Sequence, residues 1–311
     1  MAGRDPLPPT TGAFFLTDGG LETTLTFLEG LELPCFASFP LLLDPQGRER
    51  LERYYAPYLR TARERRVGFL LDTPTWRANP DWGAKLGYDA GAIDRINREA
   101  VAWAKGMRER HAAPDTPVVI NGVVGPRGDG YRPDATTGPE EAQAYHAAQI
   151  AAFREAGADL ASAMTLSTAE EAIGITRAAQ AEGLPVVISF TVETNGALAT
   201  GESLRDAVRR VDEATDGGPA YFMVNCAHPT HFEAVLAGGG WTTRIHGIRA
   251  NASAKSHAEL DESTQLDIGD PAELGRQYRS LRDRLGHLRI LGGCCGTNHR
   301  HIAAIAEACL A

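Results

Sequence analysis

Eight short apolar or β-branched runs recur along the chain, and each is followed by a polar, alanine-rich stretch with helical spacing. The runs are AFFLTDGG (13–20), VGFLLDT (67–73), PVVINGVVG (117–125), ADLASAMTL (158–166), PVVISFTVE (185–193), AYFMVNC (220–226), TRIHGIRAN (243–251) and LRILGGCCG (288–296). Strands of a parallel sheet are covered on both faces, so they read as nearly continuous apolar segments. The intervening stretches carry helix signals. Within 89–111, Ile93, Ile96, Ala100, Trp103 and Met107 share one face. The stretch 138–157 opens with Pro139 and two glutamates and closes on Gly157, ordinary start and stop chemistry for a helix. Further helices are expected over 44–66, 168–183, 203–215, 230–239, 270–286 and 298–311.

Eight β-then-α units in 311 residues is the count of an α/β (β/α)8 TIM barrel built as a single domain. The alternative, a doubly wound open sheet, usually places a glycine-rich phosphate turn after its first strand. Here TDGGLETT follows, which lacks that pattern. No linker, repeat or low-complexity stretch divides the chain, so residues 13–311 are expected to form the barrel and 1–12 an N-terminal tail. The net charge of −9 argues against a nucleic acid or an anionic membrane as partner. No apolar run approaches the ~20 residues of a membrane span, and MAGRDPLPPTTG lacks the apolar centre of a signal peptide. Five cysteines, an odd number, do not suggest a disulfide framework. The expectation is a soluble cytoplasmic protein; no heptad pattern or apolar arm specifies an oligomeric state.

Active sites of such barrels form at the C-terminal ends of the strands. That rule selects Asp18-Gly19-Gly20, Asp72-Thr73, Gly125-Pro126, Glu193, Asn225-Cys226, Asn251 and Cys294-Cys295. Three of the five cysteines therefore converge on one rim. Neighbouring strand residues point to opposite faces, so Cys294 and Cys295 meet one centre only where the chain leaves its strand. Gly292, Gly293 and Gly296 permit such a turn. Three thiolates match a catalytic zinc site with its fourth position open. The spacing alone equally allows packing cysteines or a redox pair. Cys35 and Cys309 stand apart, and the apolar helical setting of Cys309 reads as burial. In CAHPTH, His228 reads as a pocket residue and His231 as a surface residue rather than as ligands. A zinc ion on three thiolates carries a net charge of −1 and is a poor generator of hydroxide. It suits a soft ligand, deprotonating a bound thiol and leaving its sulfur nucleophilic, which implies alkyl transfer to a thiol.

LTDGGLETTL, VNCAHP and RILGGCCGTNHRHI resemble the signature segments of the homocysteine S-methyltransferase family, and the likeness runs from about 13 to 309. DTPTWRANPD and NGVVGPRGDGY resemble its second-strand and third-strand loops. The resemblance implies a (β/α)8 barrel with zinc (Zn2+) held by Cys226, Cys294 and Cys295, which activates homocysteine for methylation. It makes Asp18 the candidate catalytic and acceptor-binding residue, with Gly19 and Gly20 beside it. Asn225 and Asn251 are further candidates for substrate contacts at the rim. One departure concerns the acceptor: Met164 occupies the position where many members carry a glutamate for the amino group of homocysteine. A thioether cannot pair with an ammonium, so Glu193 or another carboxylate substitutes, or the acceptor is a different thiol.

Methyl donors of the family are sulfonium or betaine-type cations or a methylated cofactor, and a cationic methyl group favours aromatic faces. Trp76, Trp82 and Tyr131 lie in loops where a cage is conceivable, with ordinary packing as the competing reading; Trp103 reads as core and Trp241 is ambiguous. The partners implied are a small-molecule thiol and a methyl donor. The donor is either free or carried by a separate corrinoid protein.

Overall fold

A computed structural model describes residues 12–132 and 137–310; the expected tail, 1–12, falls almost wholly outside the described residues. Among the described residues, eight parallel strands close into a barrel in the order β1 to β8, with β1 pairing both β2 and β8. The strands are β1 (Phe15–Leu16), β2 (Gly68–Asp72), β3 (Val118–Val124), β4 (Leu160–Leu166), β5 (Val186–Phe190), β6 (Tyr221–Asn225), β7 (Ile245–Ala250) and β8 (Ile290–Gly293). The principal helices that follow them are α1 (Pro45–Arg65), α2 (Ala90–His111), α3 (Pro139–Ala156), α4 (Ala169–Glu182), α5 (Leu204–Thr215), α6 (Pro229–Phe232), α7 (Pro271–Arg284) and α8 (His299–Leu310).

Side chains alternate along each strand, and the apolar core separates into two layers accordingly. Phe69 and Leu71 of β2 belong to the large layer between strands and helices, whereas Leu70 belongs to a small cluster with Phe15, Val123, Leu160, Met164 and Met223. That second cluster fills the barrel, so the fold has a packed interior and keeps its open space for the mouth. The helix ends follow their sequence signals. Asp44 caps α1 by accepting from the Gly47 N–H at 2.9 Å, and Gly157 closes α3 in the left-handed conformation.

Two elements differ from the sequence reading. The first strand is only Phe15–Leu16, although the Thr17 N–H still donates to the Leu291 carbonyl at 3.0 Å and the Asp18 carbonyl accepts from the Gly293 N–H at 2.9 Å. The helix expected over 230–239 stops at Phe232. Three consecutive glycines, 238–240, carry a high entropic cost of ordering in a helix and supply no side chains to pack its second half.

Candidate metal centre

The sulfurs of Cys226, Cys294 and Cys295 lie within 4.8 Å of one another at the C-terminal mouth, brought there by the ends of β6 and β8. Cys226 Sγ and Cys295 Sγ are 3.5 Å apart. Hydrogen bonds from Cys294 and Cys295 hold the Cys226 thiol well below its ordinary range, and the same contact with Cys226 pushes Cys294 up to about 12. Ionising all three in this space requires a cation among them.

The chain holds Cys226 in a costly shape. Its φ is +56° and that of Thr165, at the end of β4, is +64°; such conformations cost about 1–3 kcal/mol each and are rarest for β-branched residues. Asn225 braces the second of these. Its Oδ1 accepts from the Thr165 N–H at 2.9 Å and from Ser189 Oγ at 2.7 Å, and its Nδ2 donates to Thr165 Oγ1 at 2.8 Å. The same amide points at Cys294 Sγ, 3.9 Å away. The Cys226 carbonyl accepts from Asn251 Nδ2 at 3.0 Å and contacts His257 Nε2 at 2.7 Å. His257 also meets Glu193 Oε1 at 3.0 Å and stacks on Tyr131, with ring centroids 4.1 Å apart. The Tyr131 hydroxyl completes the ring of contacts, 2.9 Å from Cys226 Sγ.

On the other side, the Cys294 N–H donates to the Ala250 carbonyl at 2.9 Å, and the Cys295 carbonyl accepts from the Ala252 N–H at 3.0 Å. Gly296 takes a φ of +78° and turns the chain away. Gly292 and Gly293 keep ordinary backbone angles; their smallness, rather than their flexibility, is what the rim uses. Gly20 shows the same need for space, since a Cβ there would stand 2.7 Å from the Cys294 carbonyl oxygen.

These sulfurs face a cavity of about 420 Å³ whose lining includes Asp18, Glu22, Asp72, Arg77, Met164 and Arg249. At its floor is a buried ionic triad. Arg249 Nη2 donates to Asp18 Oδ1 at 2.6 Å and its Nη1 to Asp72 Oδ2; Tyr54 donates to Asp18 Oδ2 at 3.0 Å. Burial pushes the Asp18 carboxyl up to about 7 despite the opposing pull of Arg249, with Asp72 adding to the rise. Glu22 lies two residues beyond Gly20, hydrogen-bonded by Ser38 Oγ at 2.7 Å, and burial raises its carboxyl as well.

The sequence-selected residues are thus only partly brought together. Asp18, Gly19, Gly20 and Asn225 line the cavity. Among the described residues Asn251 does not; it stands behind the rim and holds the Cys226 backbone. Glu193, offered as a substitute for the missing β4 carboxylate, is engaged by His257 and lies outside the lining, so Glu22 is the candidate that fills that need. His228 caps α6, with burial pushing it down to about 4, and His231 contacts the Ala254 carbonyl. No cage forms from Trp76, Trp82 and Tyr131. Trp82 has Arg77 3.6 Å and Lys85 3.8 Å from its ring centroid, while Trp76 Nε1 donates to the Met164 carbonyl at 3.2 Å. Trp103 is core, packed on Tyr55, and Trp241 is half-buried against the same apolar layer. Arg249, Glu22 and Arg77 were not singled out from sequence; Glu22 sits inside the quoted TDGGLETT segment, and Arg249 at the end of the seventh run.

Fold and site together define a class: a parallel (β/α)8 barrel with a cluster of three cysteines at its catalytic mouth. The sequence profile of the homocysteine S-methyltransferase family matches residues 15–309, and the chain belongs to that family. A homocysteine S-methyltransferase of Escherichia coli (strain K12) is 26% identical over 250 residues, covering 75% of this chain and 77% of the relative. Crystal structures of the homocysteine methyltransferase MmuM from Escherichia coli share the fold. Its oxidised form superposes with a TM-score of 0.75 and its metallated form with 0.74, each at 24% identity and covering 95% of this chain and 96% of the other.

Proposed function

We propose that this protein transfers a methyl group from a sulfonium or betaine-type donor to a thiol, with L-homocysteine as the first candidate acceptor and methionine as its product. The observation that carries this reading is the three-sulfur cluster facing a cavity of substrate size. Thiolates around a tetrahedral zinc ion at ~2.3 Å stand about 3.8 Å apart, which the separations here approach. The donor set also fits: soft sulfur ligands select zinc over hard cations. Cys226, Cys294 and Cys295 would hold it. Zinc bound there supplies the acidity that strips a proton from an acceptor thiol while leaving the sulfur electron-rich.

The chain's own residues do the rest. The Tyr131 hydroxyl contacts Cys226 Sγ and the Asn225 amide directs a hydrogen at Cys294 Sγ, fixing where the sulfurs point. Asn251 and His257 fix the backbone of Cys226 from behind. Asp18, beside the Gly19-Gly20 turn, and Glu22 offer carboxylates to the amino end of an acceptor. In the transfer itself, the acceptor's sulfur lone pair forms the new S–CH3 bond. The donor's C–S or C–N bonding pair leaves with the donor, which becomes neutral at that atom, and the thiol proton is lost to solvent on binding.

Met164 favours a second acceptor reading, since a thioether lies where an ammonium partner is expected; a thiol without an amino group at that place is the alternative. Reduced, zinc-loaded protein is to be incubated with L-homocysteine and either S-methyl-L-methionine or glycine betaine. Methionine formation without any partner is the expected result. Turnover that appears only with a methylated corrinoid protein would overturn the free-donor reading.

A further inference from the structure

Two cations line the cavity among the described residues, Arg77 and Arg249. Arg249 is saturated by Asp18 and Asp72. Arg77 is different: its Nε and Nη1 are buried and have no hydrogen-bond partner, and no ion pair engages it among the described residues. Neither nearby carboxylate forms an ion pair or hydrogen bond with it among the described residues. Glu22 accepts from Ser38 Oγ at 2.7 Å, and Asp129 accepts from the N–H groups of Tyr131 at 2.8 Å and Arg132 at 3.2 Å. The guanidinium is nevertheless held in place, 3.6 Å from the ring centroid of Trp82 and 4.7 Å from that of Trp76. Stacking fixes the plane of a guanidinium while leaving its N–H groups free to bond in that plane. Arg77 is only partly buried and lines the cavity, so an anion entering there meets an oriented cation whose buried N–H groups lack partners.

We propose that Arg77 is the carboxylate receptor of this cavity, and that a substrate of the methyl transfer binds through a carboxylate at Arg77. Both the amino-acid thiol and the methyl donor of the proposed reaction carry that group, so the chemistry is shared and the source is a matter of measurement. The inference rests on the methyl-transfer reading for its choice of probes. It also accounts for the fate of the aromatic residues: where a bare alkyl cation would call for open ring faces, Trp82 already has the chain's own cations stacked on it.

The test is calorimetric binding to the reduced, zinc-loaded full chain, wild type against Arg77→Gln and Arg77→Lys. Two ligand pairs serve: L-homocysteine with 3-mercaptopropylamine, and S-methyl-L-methionine with (3-aminopropyl)dimethylsulfonium. Each second member lacks only the carboxylate. Loss of one charge-assisted contact weakens binding roughly 10- to 100-fold, so R77Q should weaken one parent ligand by that factor and its decarboxylated partner by less than about threefold, with R77K intermediate. The pair that shows the split identifies the source. Equal weakening of both members, or no weakening of either, overturns the proposal, as does a wild-type protein that binds no parent ligand. Zinc content and methyl transfer are read on the same samples. Carboxylate discrimination without methyl transfer sinks the proposed function and leaves Arg77 standing; transfer that R77Q leaves untouched does the reverse.

Discussion

Two of the three sulfurs, those of Cys226 and Cys294, contact a polar neighbour outside the cluster. Asn225 is the clearest case, because it satisfies the N–H of a strained Thr165 and points its amide at Cys294 in one gesture. Asn225→Ala leaves that buried N–H without a partner, which costs about 1–3 kcal/mol; urea unfolding of wild type and variant at equal zinc loading reads it directly. Cys295→Ala should abolish methyl transfer and reduce bound zinc below one per chain, as metal analysis of the reduced variant would show. Gly20→Ala is predicted to impair metal binding as well, since its methyl group would press on the Cys294 carbonyl. The cysteines themselves were legible in sequence because strand ends select the mouth of a barrel. Tyr131 was visible as a loop aromatic, but its role on Cys226 was not: the segment after β3 has neither periodicity nor a turn signature that says where a side chain will point. Arg77 reads as an ordinary loop arginine until the stacking of two tryptophans is seen.

At the scale of elements, β7 carries the least expected feature. The run TRIHGIRAN carries two arginines and a histidine among its apolar residues, and nothing in that pattern says that Arg249 turns inward to join the first and second strand ends through Asp18 and Asp72. Removing one member of a buried ionic group strands the others, so Arg249→Met is expected to destabilise by about 3–5 kcal/mol, measured as a shift in denaturant midpoint. The triad also predicts a pH dependence. Burial lifts Asp18 from an ordinary 3.8 to about 7, so between those values the folded chain keeps a proton that the unfolded chain has released. Stability from this group is therefore fully present below about pH 4 and is lost as pH rises through 7. Asp18→Asn removes the titration; the unfolding free energy of the wild type minus that of the variant, followed from pH 4 to 8, should fall as pH rises. The long helices, by contrast, were read almost to the residue, with their caps as the signal. The short helices Pro80–Lys85 and His257–Asp261 were not anticipated, and at α6 an apolar pattern over 230–239 was outweighed by the glycines that follow it.

For the whole molecule, the count of eight alternating units was sufficient to give the closed barrel, since buried parallel strands have no polar face to obscure the pattern. The barrel then delivers residues more than two hundred positions apart, Asp18 and Cys294 among them, to one mouth without any local motif joining them. A metal held by the three cysteines would tie these parts together, so chelation should lower the melting temperature by several degrees and zinc should restore it; free zinc at a thousand times its Kd contributes about 4 kcal/mol. The most direct test of the account is zinc content and homocysteine binding measured together on the reduced protein, with calorimetry in two buffers of different ionisation heat. One zinc per chain, and a proton released as homocysteine binds, is the predicted result. Absence of zinc from the fully reduced, zinc-equilibrated chain would contradict it.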